Sequence, residues 1–355
     1  MRTYLFTLLA IMMIFFGSCE SPYGKKMVTG IPSTGRVGEI LVVCDEAIWN
    51  SEIKEALDSN LTQWIMPYFP DVATFELIHR APANFNKGIR KHRNVLILKL
   101  DGAYAGEKGN ITKEVGTYAT DQVLIEVVAK NYDQMLETCT HGLNRVHSEF
   151  DEASWSRIMD RYKTQSNRFL VDDIKEKFGI SLAIPQGSKA VWRKQNFYRI
   201  ELPNSAKPIE FVGTGSSDPG LIFRGILIYQ YNYEDSTQLS FEALAAARDT
   251  MLKYNVPSET PGMYMGTQYG KITYPVMETF TTASGTEGSQ MRGMFVFTGR
   301  DKFGTGGAFW QCHLLNEKTK KIVCVSGYVD AAPTTSWTQP LREVQAILKS
   351  VELVK

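Results

Sequence analysis

A hairpin is predicted by the stretch Ala308-Phe-Trp-Gln-Cys-His-Leu-Leu-Asn-Glu-Lys-Thr-Lys-Lys-Ile-Val-Cys-Val-Ser-Gly-Tyr328. It holds two apolar runs separated by a polar segment, Asn316 to Lys320. Apolar, β-branched and aromatic runs on either side of a short polar turn are typical of paired antiparallel strands. If Leu314 faces Ile322 across this turn, Cys312 and Cys324 lie on the same side of the hairpin.

That register makes a disulfide between Cys312 and Cys324 possible in an oxidising compartment. The alternative is that both are small buried residues on adjacent strands. Besides Cys19, the other cysteines are Cys44 and Cys139, and no Cys-x-x-Cys occurs.

Strands of the same kind continue outward from this hairpin. From Ile180 onward, the sequence predicts short strands at 181–184, 197–202, 221–233, 263–271, 276–282, 293–298, 308–315 and 322–328. Helices are predicted over about 240–254, with Ser240 as its cap, and over about 340–352. We therefore expect a mostly antiparallel sheet with covering helices, which is an α+β domain.

The earlier part of the chain has a different pattern. The nearly continuous apolar run Glu39-Ile-Leu-Val-Val-Cys-Asp45 is typical of a strand buried on both faces. A helix follows it, and the sequence then predicts strands at 74–79, 94–100 and 122–128 and a helix at 132–147. Strands that alternate with helices predict an α/β segment.

The chain begins like a bacterial lipoprotein. Arg2 precedes an uncharged, mostly apolar run from Tyr4 to Phe16, and Gly17-Ser18-Cys19 follows. A transmembrane anchor needs about 20 apolar residues, so this run is too short; a secretory signal cut elsewhere is the other alternative. We expect cleavage before Cys19 and acylation of this cysteine, which would anchor the protein on a membrane.

These patterns divide the chain into five parts. We predict a signal peptide at 1–18, a flexible tether at 19–36, an α/β domain at 37–150, a connecting helix at 151–178 and an antiparallel α+β domain at 179–355. The expected location is the cell envelope, with the outer membrane favoured. Whether the domains face the periplasm or the exterior is open, because only Glu20 is acidic just after the cysteine.

Charge argues against nucleic acid as a partner. Removal of residues 1–18 takes away one charge, Arg2, and leaves 38 basic against 38 acidic residues. A nucleic-acid-binding protein would show a basic stripe.

Familiar catalytic patterns are missing from the sequence. There is no Gly-x-Ser-x-Gly, no phosphate-binding loop and no His-Glu-x-x-His. We therefore predict no catalytic residue, no cofactor and no metal site, and favour a protein that is not an enzyme.

Aromatic residues mark the candidate binding face. Tyr229, Tyr231 and Tyr233 alternate along one predicted strand and share one face of it. Arg292 and Arg300 flank neighbouring strands. Such a face can stack on sugar rings or hold a peptide, whereas the alternative is that most of these rings pack in the core.

Several short motifs together resemble the bacterial lipoproteins of domain-of-unknown-function family 4837. The matching segments occur in order over nearly the whole chain after Cys19: Gly35-Arg-Val-Gly-Glu-Ile-Leu-Val-Val-Cys-Asp45, His92-Arg-Asn94, Arg292-Gly-Met-Phe-Val296, Gly306-Gly-Ala-Phe309 and Gly327-Tyr-Val-Asp-Ala-Ala-Pro333. The resemblance implies an envelope lipoprotein of Bacteroidota-type bacteria and assigns no site residues. Residues 178–353 also look like the α/β/α sandwich of PsbP-like and Mog1-like proteins, which mostly bind partners.

These observations favour a tethered lipoprotein that binds a protein, peptide or glycan partner without catalysis. The first alternative is an envelope hydrolase acting on glycan or peptide through two carboxylates, which a cleft with acidic groups about 5 to 9.5 Å apart would favour. The second is a structural or assembly factor of the envelope.

Overall fold

The computed structural model describes residues 30–69, 71–203, 222–258, 261–299, 302–330 and 336–354. The chain divides into two compact units. The first contains the residues up to Gly35, Glu39–Leu57 and Leu77–Val146, and the second contains Arg36–Gly38, Asp58–Glu76 and the residues from His147 onward. The division at His147 is close to the boundary predicted near residue 150.

The first sheet has five strands in the order β2-β1-β3-β5-β4. They are β1 Glu39–Val43, β2 Glu76–Arg80, β3 Asn94–Leu100, β4 Asn110–Val115 and β5 Val123–Ala129. β1, β3 and β5 run parallel, while β4 is antiparallel to β5. All five residues of β1 are buried, as its continuous apolar run predicts. The α/β character of this segment is confirmed, and β4 is the strand that the sequence analysis missed.

Three helices follow strands of this sheet: α1 Glu46–Trp49, α2 Glu52–Leu61 and α3 Tyr132–His141. Asn131 caps α3, since its side chain accepts a hydrogen bond from the backbone N–H of Gln134. Gly142 ends α3 earlier than predicted.

The predicted connecting helix is two helices, α4 Leu143–Thr164 and α5 Arg168–Phe178. The chain breaks between them because Asn167 caps a new helix: its side chain accepts from the N–H of Leu170 at 3.2 Å. Gly179 then ends α5 in a left-handed conformation, with a φ of 65°.

The large sheet of the second unit has eight strands. Seven follow the order β10-β12-β13-β14-β9-β8-β7, and β11 pairs with β12. Their bounds are β7 Lys189–Lys194, β8 Phe197–Glu201, β9 Phe223–Asn232, β10 Tyr264–Thr267, β11 Val276–Thr281, β12 Glu287–Gly299, β13 Lys302–Asn316 and β14 Lys321–Asp330. All the pairings in this sheet are antiparallel. A two-stranded sheet joins β6 Ile180–Ser181 to β15 Glu352–Leu353.

Helices cover both faces of the large sheet, which confirms the α+β class. One face packs under α6 Phe241–Asn255, where the apolar side chains include Leu227, Cys324 and Leu244. The other packs under α7 Thr338–Lys349, where they include Ile226, Val325 and Val344. Ser240 caps α6 as predicted, because its hydroxyl accepts from the N–H of Ala243.

Helix α7 is buried nearly all round. Gly327 of β14 lets it approach the sheet, since a Cβ at this position would overlap the side chain of Val344. Its two buried charged residues are paired: Arg342 donates to Asp151 at 2.7 Å, and Glu343 forms an ion pair with Arg224. Enclosure of polar side chains without such partners would be costly.

The end of the predicted tether belongs to the folded protein. Residues 31–34 hydrogen-bond to the backbone, with Thr34 donating to Lys91 at 2.9 Å and Arg93 donating back to Thr34 at 2.9 Å. Gly35, with a φ of 92°, lies directly against the ring of His92. This ring lies 3.5 Å from the carboxylate of Glu39. Residues 31–36 of the predicted tether are therefore part of the folded protein, and the motifs around Gly35 and His92 contact each other.

Candidate functional site

A cavity of about 530 Å³ lies between α6 and the end of the large sheet formed by β7, β8 and β9. We call it the α6 pocket. Its volume is in the range of small-molecule sites, which is about 300 to 1,000 Å³.

Aromatic rings line the sheet side of the α6 pocket. Phe197 of β8 is in register with Tyr229 of β9, and Tyr231 follows two residues later on the same face. The rings of Tyr229 and Tyr231 are stacked, with centroids 6.3 Å apart. The helix side is formed by smaller residues, such as Ala246, Ala247 and Thr250, which leave space that larger side chains would fill.

The pocket wall also contains three amide side chains, those of Gln195, Asn196 and Asn255. The side chain of Gln230 lies on the other face of β9, where it donates to the backbone carbonyl of Lys177 at 3.3 Å. Gln195 and Asn196 form the turn between β7 and β8. Asn196 accepts from the side chain of Gln230 at 3.3 Å. Amides provide both donors and acceptors, so this wall can bind a polar, uncharged group.

Lys194 is the charged residue of the lining, which contains no Asp or Glu. Its ammonium group donates to the side chain of Asn255 at 2.8 Å and so ties the end of β7 to α6. No carboxylate among the described residues forms an ion pair with Lys194.

The hydroxyl of Tyr231 is buried and has no hydrogen-bond partner among the described residues. Burial raises the pKa of Tyr231, so the hydroxyl stays protonated at neutral pH. A buried polar group left without a partner costs about 1–3 kcal/mol.

A polar cluster lies behind the aromatic wall. The register of β9, β14, β13 and β12 aligns Tyr229, Cys324, His313 and Ser289 in one row of the sheet. Ser326 and Gln311 lie in the next row on the same face.

Arg248 of α6 is fully buried against this cluster. Its Nη1 donates to Gln311 and to Ser326, both at 2.7 Å, and its Nε donates to Thr267 at 3.2 Å. Nη2 has no partner among the described residues. The guanidinium lies 3.6 Å from the ring centroid of Phe309, a close cation–π contact.

Arg248 remains positively charged although it is buried. Burial lowers the pKa of Arg248 to about 10, while Tyr229 and Asp249 act in the opposite direction. The group is therefore protonated at neutral pH. Asp249 accepts from the hydroxyl of Tyr269 at 2.6 Å and does not hydrogen-bond to the guanidinium.

The cluster fixes the orientation of its own groups. Arginine can only donate, so the side-chain oxygen of Gln311 faces Arg248. Its amide nitrogen then lies 2.9 Å from the hydroxyl of Tyr229 and 2.6 Å from Nε2 of His313. His313 accepts through Nε2, and burial lowers its pKa to about 3, so the ring is neutral.

The predicted aromatic face exists but is not an open platform. Tyr229, Tyr231 and Tyr233 lie on the same face, which α6 covers, and Tyr229 is only 3% exposed. Tyr229 is therefore a core residue whose ring reaches the pocket, and Tyr231 is half-buried.

Arg292 does not join this site. Arg292 pairs with Trp310 across β12 and β13 on the opposite face of the sheet, 5.2 Å from its ring, and forms an ion pair with Glu278. Arg300 and Cys19 lie outside the described residues.

Of the two alternatives for Cys312 and Cys324, the structure has the buried unbridged residues, because the hairpin register differs by one residue from the one that the disulfide needs. Leu314 pairs with Val323, so Cys312 faces Val325 and Cys324 faces His313. The turn has four residues, and Lys320 adopts a φ of 51° in it. A shift of one residue turns each side chain to the other face. Cys312 therefore lies under α7 and Cys324 under α6, both as buried thiols.

Among the described residues, no group of three or more His, Cys, Asp or Glu side chains is placed to hold a metal ion. In that same part of the chain, no helix has both the length and the apolar character needed to cross a bilayer.

Sequence reasoning missed Arg248, although a signal was present. The buried residues of α6 are Leu244, Ala245, Arg248, Met251 and Leu252, which have the spacing of one apolar helix face. An arginine in the middle of such a face is expected to be buried with polar partners. Those partners come from strands about 20 to 80 residues away, which periodicity does not identify.

Two families match the chain. Residues 33–163 match the family described as Domain of unknown function (DUF8532). Residues 167–350, which are more than half of the chain, match the family described as Domain of unknown function (DUF4837). Among curated proteins, none matches at a significant level.

Solved structures with some similarity include the Ran-binding protein Mog1p of Saccharomyces cerevisiae. It is 12% identical with a TM-score of 0.31, over 50% of this chain and 91% of that one. The PsbP protein of the cyanobacterium Synechocystis sp. PCC 6803 (CyanoP) is 9% identical with a TM-score of 0.28, over 49% of this chain and 86% of that one.

Proposed function

We propose that this chain, which belongs to the family described as Domain of unknown function (DUF4837), is a membrane-tethered envelope protein that binds a glycan fragment in the α6 pocket without catalysis. One observation carries the proposal: the pocket combines stacked aromatic rings with three amide side chains. The apolar face of a sugar ring packs on an aromatic ring, and its hydroxyls pair with amides.

The volume of the pocket supports a small ligand. Sites of this volume bind small molecules through an apolar wall with a few polar groups. The α6 pocket has this composition, with Phe197 and Tyr231 as wall and Gln195 and Asn196 at the strand turn.

The pocket does not favour the hydrolase alternative. Glycoside hydrolysis ordinarily needs two carboxylates that flank the scissile bond. The lining residues include no Asp and no Glu, and its lysine is engaged with Asn255. Binding without turnover is the function that such a lining supports.

The tether is proposed from the sequence alone. Two or three acyl chains on Cys19 would hold the protein on the membrane, since each buried methylene adds about 0.8 kcal/mol. Expression of the full chain and of Cys19→Ser, followed by detergent phase partition and mass spectrometry, tests this anchor. We expect the wild type in the detergent phase with added acyl mass and the variant in the aqueous phase; equal partition of both would reject lipidation of Cys19.

A thermal-shift screen of the full chain in detergent tests the binding function. The panel contains envelope sugars and, for the runner-up ligand class, short peptides. Ligand at about 100 times its Kd adds roughly 2.7 kcal/mol of stability to the folded state. Absence of any shift with the sugars would reject glycan binding, and a shift with peptides alone would replace it with peptide binding.

Matched variants locate any binding. Ala246 is exposed and lines the pocket, so Ala246→Trp fills the space without disturbing the core. Ala105 is exposed in a loop of the first unit, and Ala105→Trp is the control. We expect the first variant to abolish the shift and the second to keep it; retention of the shift by Ala246→Trp would place the ligand elsewhere.

A further inference from the structure

Three large apolar side chains of the second unit are exposed close together in the sequence. Trp64, Met66 and Phe69 have exposed fractions of 59%, 57% and 58%. We call residues 64–69 the Trp64 loop. Its two aromatic rings contact no other aromatic ring among the described residues, whereas the exposed Tyr274 stacks on Phe241. Large apolar side chains that are exposed together indicate an interaction surface.

Hydrogen bonds hold the Trp64 loop in place. The N–H of Ile65 donates to the carbonyl of Val72 at 2.8 Å, which pairs the two sides of the loop. Tyr68 is buried, and its hydroxyl donates to the backbone carbonyl of Phe309 at 3.1 Å. This contact fixes the loop to the large sheet. The three exposed side chains are therefore presented to solvent in a defined arrangement.

The composition of the Trp64 loop suits the surface of a bilayer. Between Thr62 and Ala73, Asp71 is the single charged residue, so no attraction to an acidic partner is expected. Tryptophan combines an apolar ring with an N–H donor, and such side chains are enriched where the headgroups of a bilayer meet its hydrocarbon.

The predicted anchor would keep a bilayer within reach of the folded protein. Ile31 is part of the fold, because its carbonyl accepts from the N–H of Thr120 at 2.7 Å. It follows Cys19 by 12 residues. At about 3.6 Å per residue, these span at most about 43 Å. Acylation of Cys19 would therefore hold the fold close to the membrane.

The Trp64 loop lies near the point where the chain first enters the second unit, at Arg36–Gly38. The carbonyl of Gly38 accepts from the N–H of Glu76 at 2.8 Å. Phe69 precedes Glu76 by seven residues, so the chain between them spans at most about 25 Å. A membrane anchor that leads into this point brings the loop close to lipid.

We propose that the Trp64 loop inserts its three apolar side chains into the surface of the bilayer that anchors Cys19. This inference rests on the proposed tether and adds a second contact, which decides the part of the second unit that faces lipid. The contact can be weak by itself, because an anchored chain holds the loop at a high local concentration beside the membrane.

Labels on the full acylated chain in vesicles of phosphatidylethanolamine and phosphatidylglycerol test the insertion. The four cysteines in the described residues are at most 1% exposed, and acylated Cys19 has no free thiol, so an introduced cysteine is the reactive one. Trp64→Cys and Phe69→Cys each carry an environment-sensitive nitrobenzoxadiazole label. The matched controls are Phe169→Cys on α5 and Trp192→Cys on β7, both at exposed aromatic positions. Circular dichroism checks that each variant is folded.

We expect the emission of both loop labels to move to shorter wavelength on the vesicles. Lipids with nitroxide groups on their acyl chains should quench the loop labels several-fold more than the control labels. High salt should change this little, because the loop carries no basic residue. Loop labels that behave like the controls on an acylated chain overturn the inference and leave the tether intact.

Mass spectrometry of the same samples separates the two proposals. If Cys19 is unmodified, a response of the loop labels to vesicles retains the inference and rejects the tether, whereas no response rejects both. A shift that appears without vesicles and grows with protein concentration would assign the loop to contact with a second copy of the chain and overturn the inference.

Discussion

The guanidinium of Arg248 lies 3.6 Å from the centre of the Phe309 ring, in a core where its hydrogen bonds go to an amide and two hydroxyls and to no carboxylate. This pair determines much of the chemistry on the α6 side of the sheet. The cation keeps the amide of Gln311 oriented, and through it the hydroxyl of Tyr229 at the pocket wall.

Arg248→Ala is expected to lower the free energy of unfolding by about 3 kcal/mol or more, because it leaves a cavity and three acceptors without a donor. Urea denaturation measures the change. Arg168→Ala, an exposed arginine at the start of α5, is the control and should lie within about 0.5 kcal/mol of wild type. A loss below about 1 kcal/mol for Arg248→Ala would mean that the cluster contributes little to stability.

Removal of the hydroxyl should change the free energy of unfolding differently at Tyr229 and at Tyr231 of β9. Tyr229→Phe is expected to destabilise the ligand-free protein by about 1–2 kcal/mol, since the buried amide of Gln311 loses an acceptor. Tyr231→Phe should leave stability unchanged or raise it, because its buried hydroxyl has no partner among the described residues. Parallel unfolding curves test the pair, and equal losses would contradict the assignment.

Stability should fall in acid through His313. Burial lowers its pKa from about 6.5 to about 3, so the unfolded chain binds a proton that the folded protein does not. The stabilising contribution is complete above pH 6.5 and is lost as pH falls toward 3, at up to about 1.4 kcal/mol per pH unit. His313→Gln should flatten the pH dependence between 6.5 and 4 relative to wild type. His141→Gln, an exposed histidine, is the control; parallel pH profiles for all three proteins would refute the role of His313.

The thiols of the folded protein should be unreactive and unbridged. Cys44, Cys139, Cys312 and Cys324 are each at most 1% exposed, and burial raises the pKa of all four. We expect no alkylation of these four in the native protein and full alkylation after denaturation without reductant, as read by mass spectrometry. Two of them remaining unmodified after denaturation would indicate a disulfide.

Gly327→Ala should destabilise the second unit by about 1–3 kcal/mol, because the new methyl group overlaps Val344 of the packed helix. Gly102→Ala is the matched control, since a Cβ there meets nothing within 4 Å. Thermal unfolding compares the two. Similar behaviour of both variants would mean that α7 can move away from the sheet at low cost.

Most helices and strands could be predicted from local sequence patterns. The residues of the candidate site could not, because their positions depend on strand register and on the helix that packs over them. The buried run of β1, the serine cap of α6 and the strand alternation after residue 180 are local signals, and most elements formed where these signals predicted them; β7 was not predicted, and the strand predicted at 181–184 is only Ile180–Ser181. Two features of the site were not predicted: the hairpin turn has four residues and not the five from Asn316 to Lys320, and a helix covers the tyrosine face. The first depends on the conformation of the turn, where Lys320 has a positive φ. The second depends on contacts between residues distant in sequence, which the pattern of a single chain does not reveal.

The enclosure of α7 also limits when the second unit can fold. This helix fills the space over β9, β13 and β14, yet its residues, Thr338–Lys349, come after all three strands in the chain. During synthesis the strands therefore emerge with one apolar face uncovered, and that face is closed only when residue 349 has left the ribosome. Until then, the uncovered apolar face can bind chaperones, and the chain can be used by any export machinery that requires an unfolded substrate.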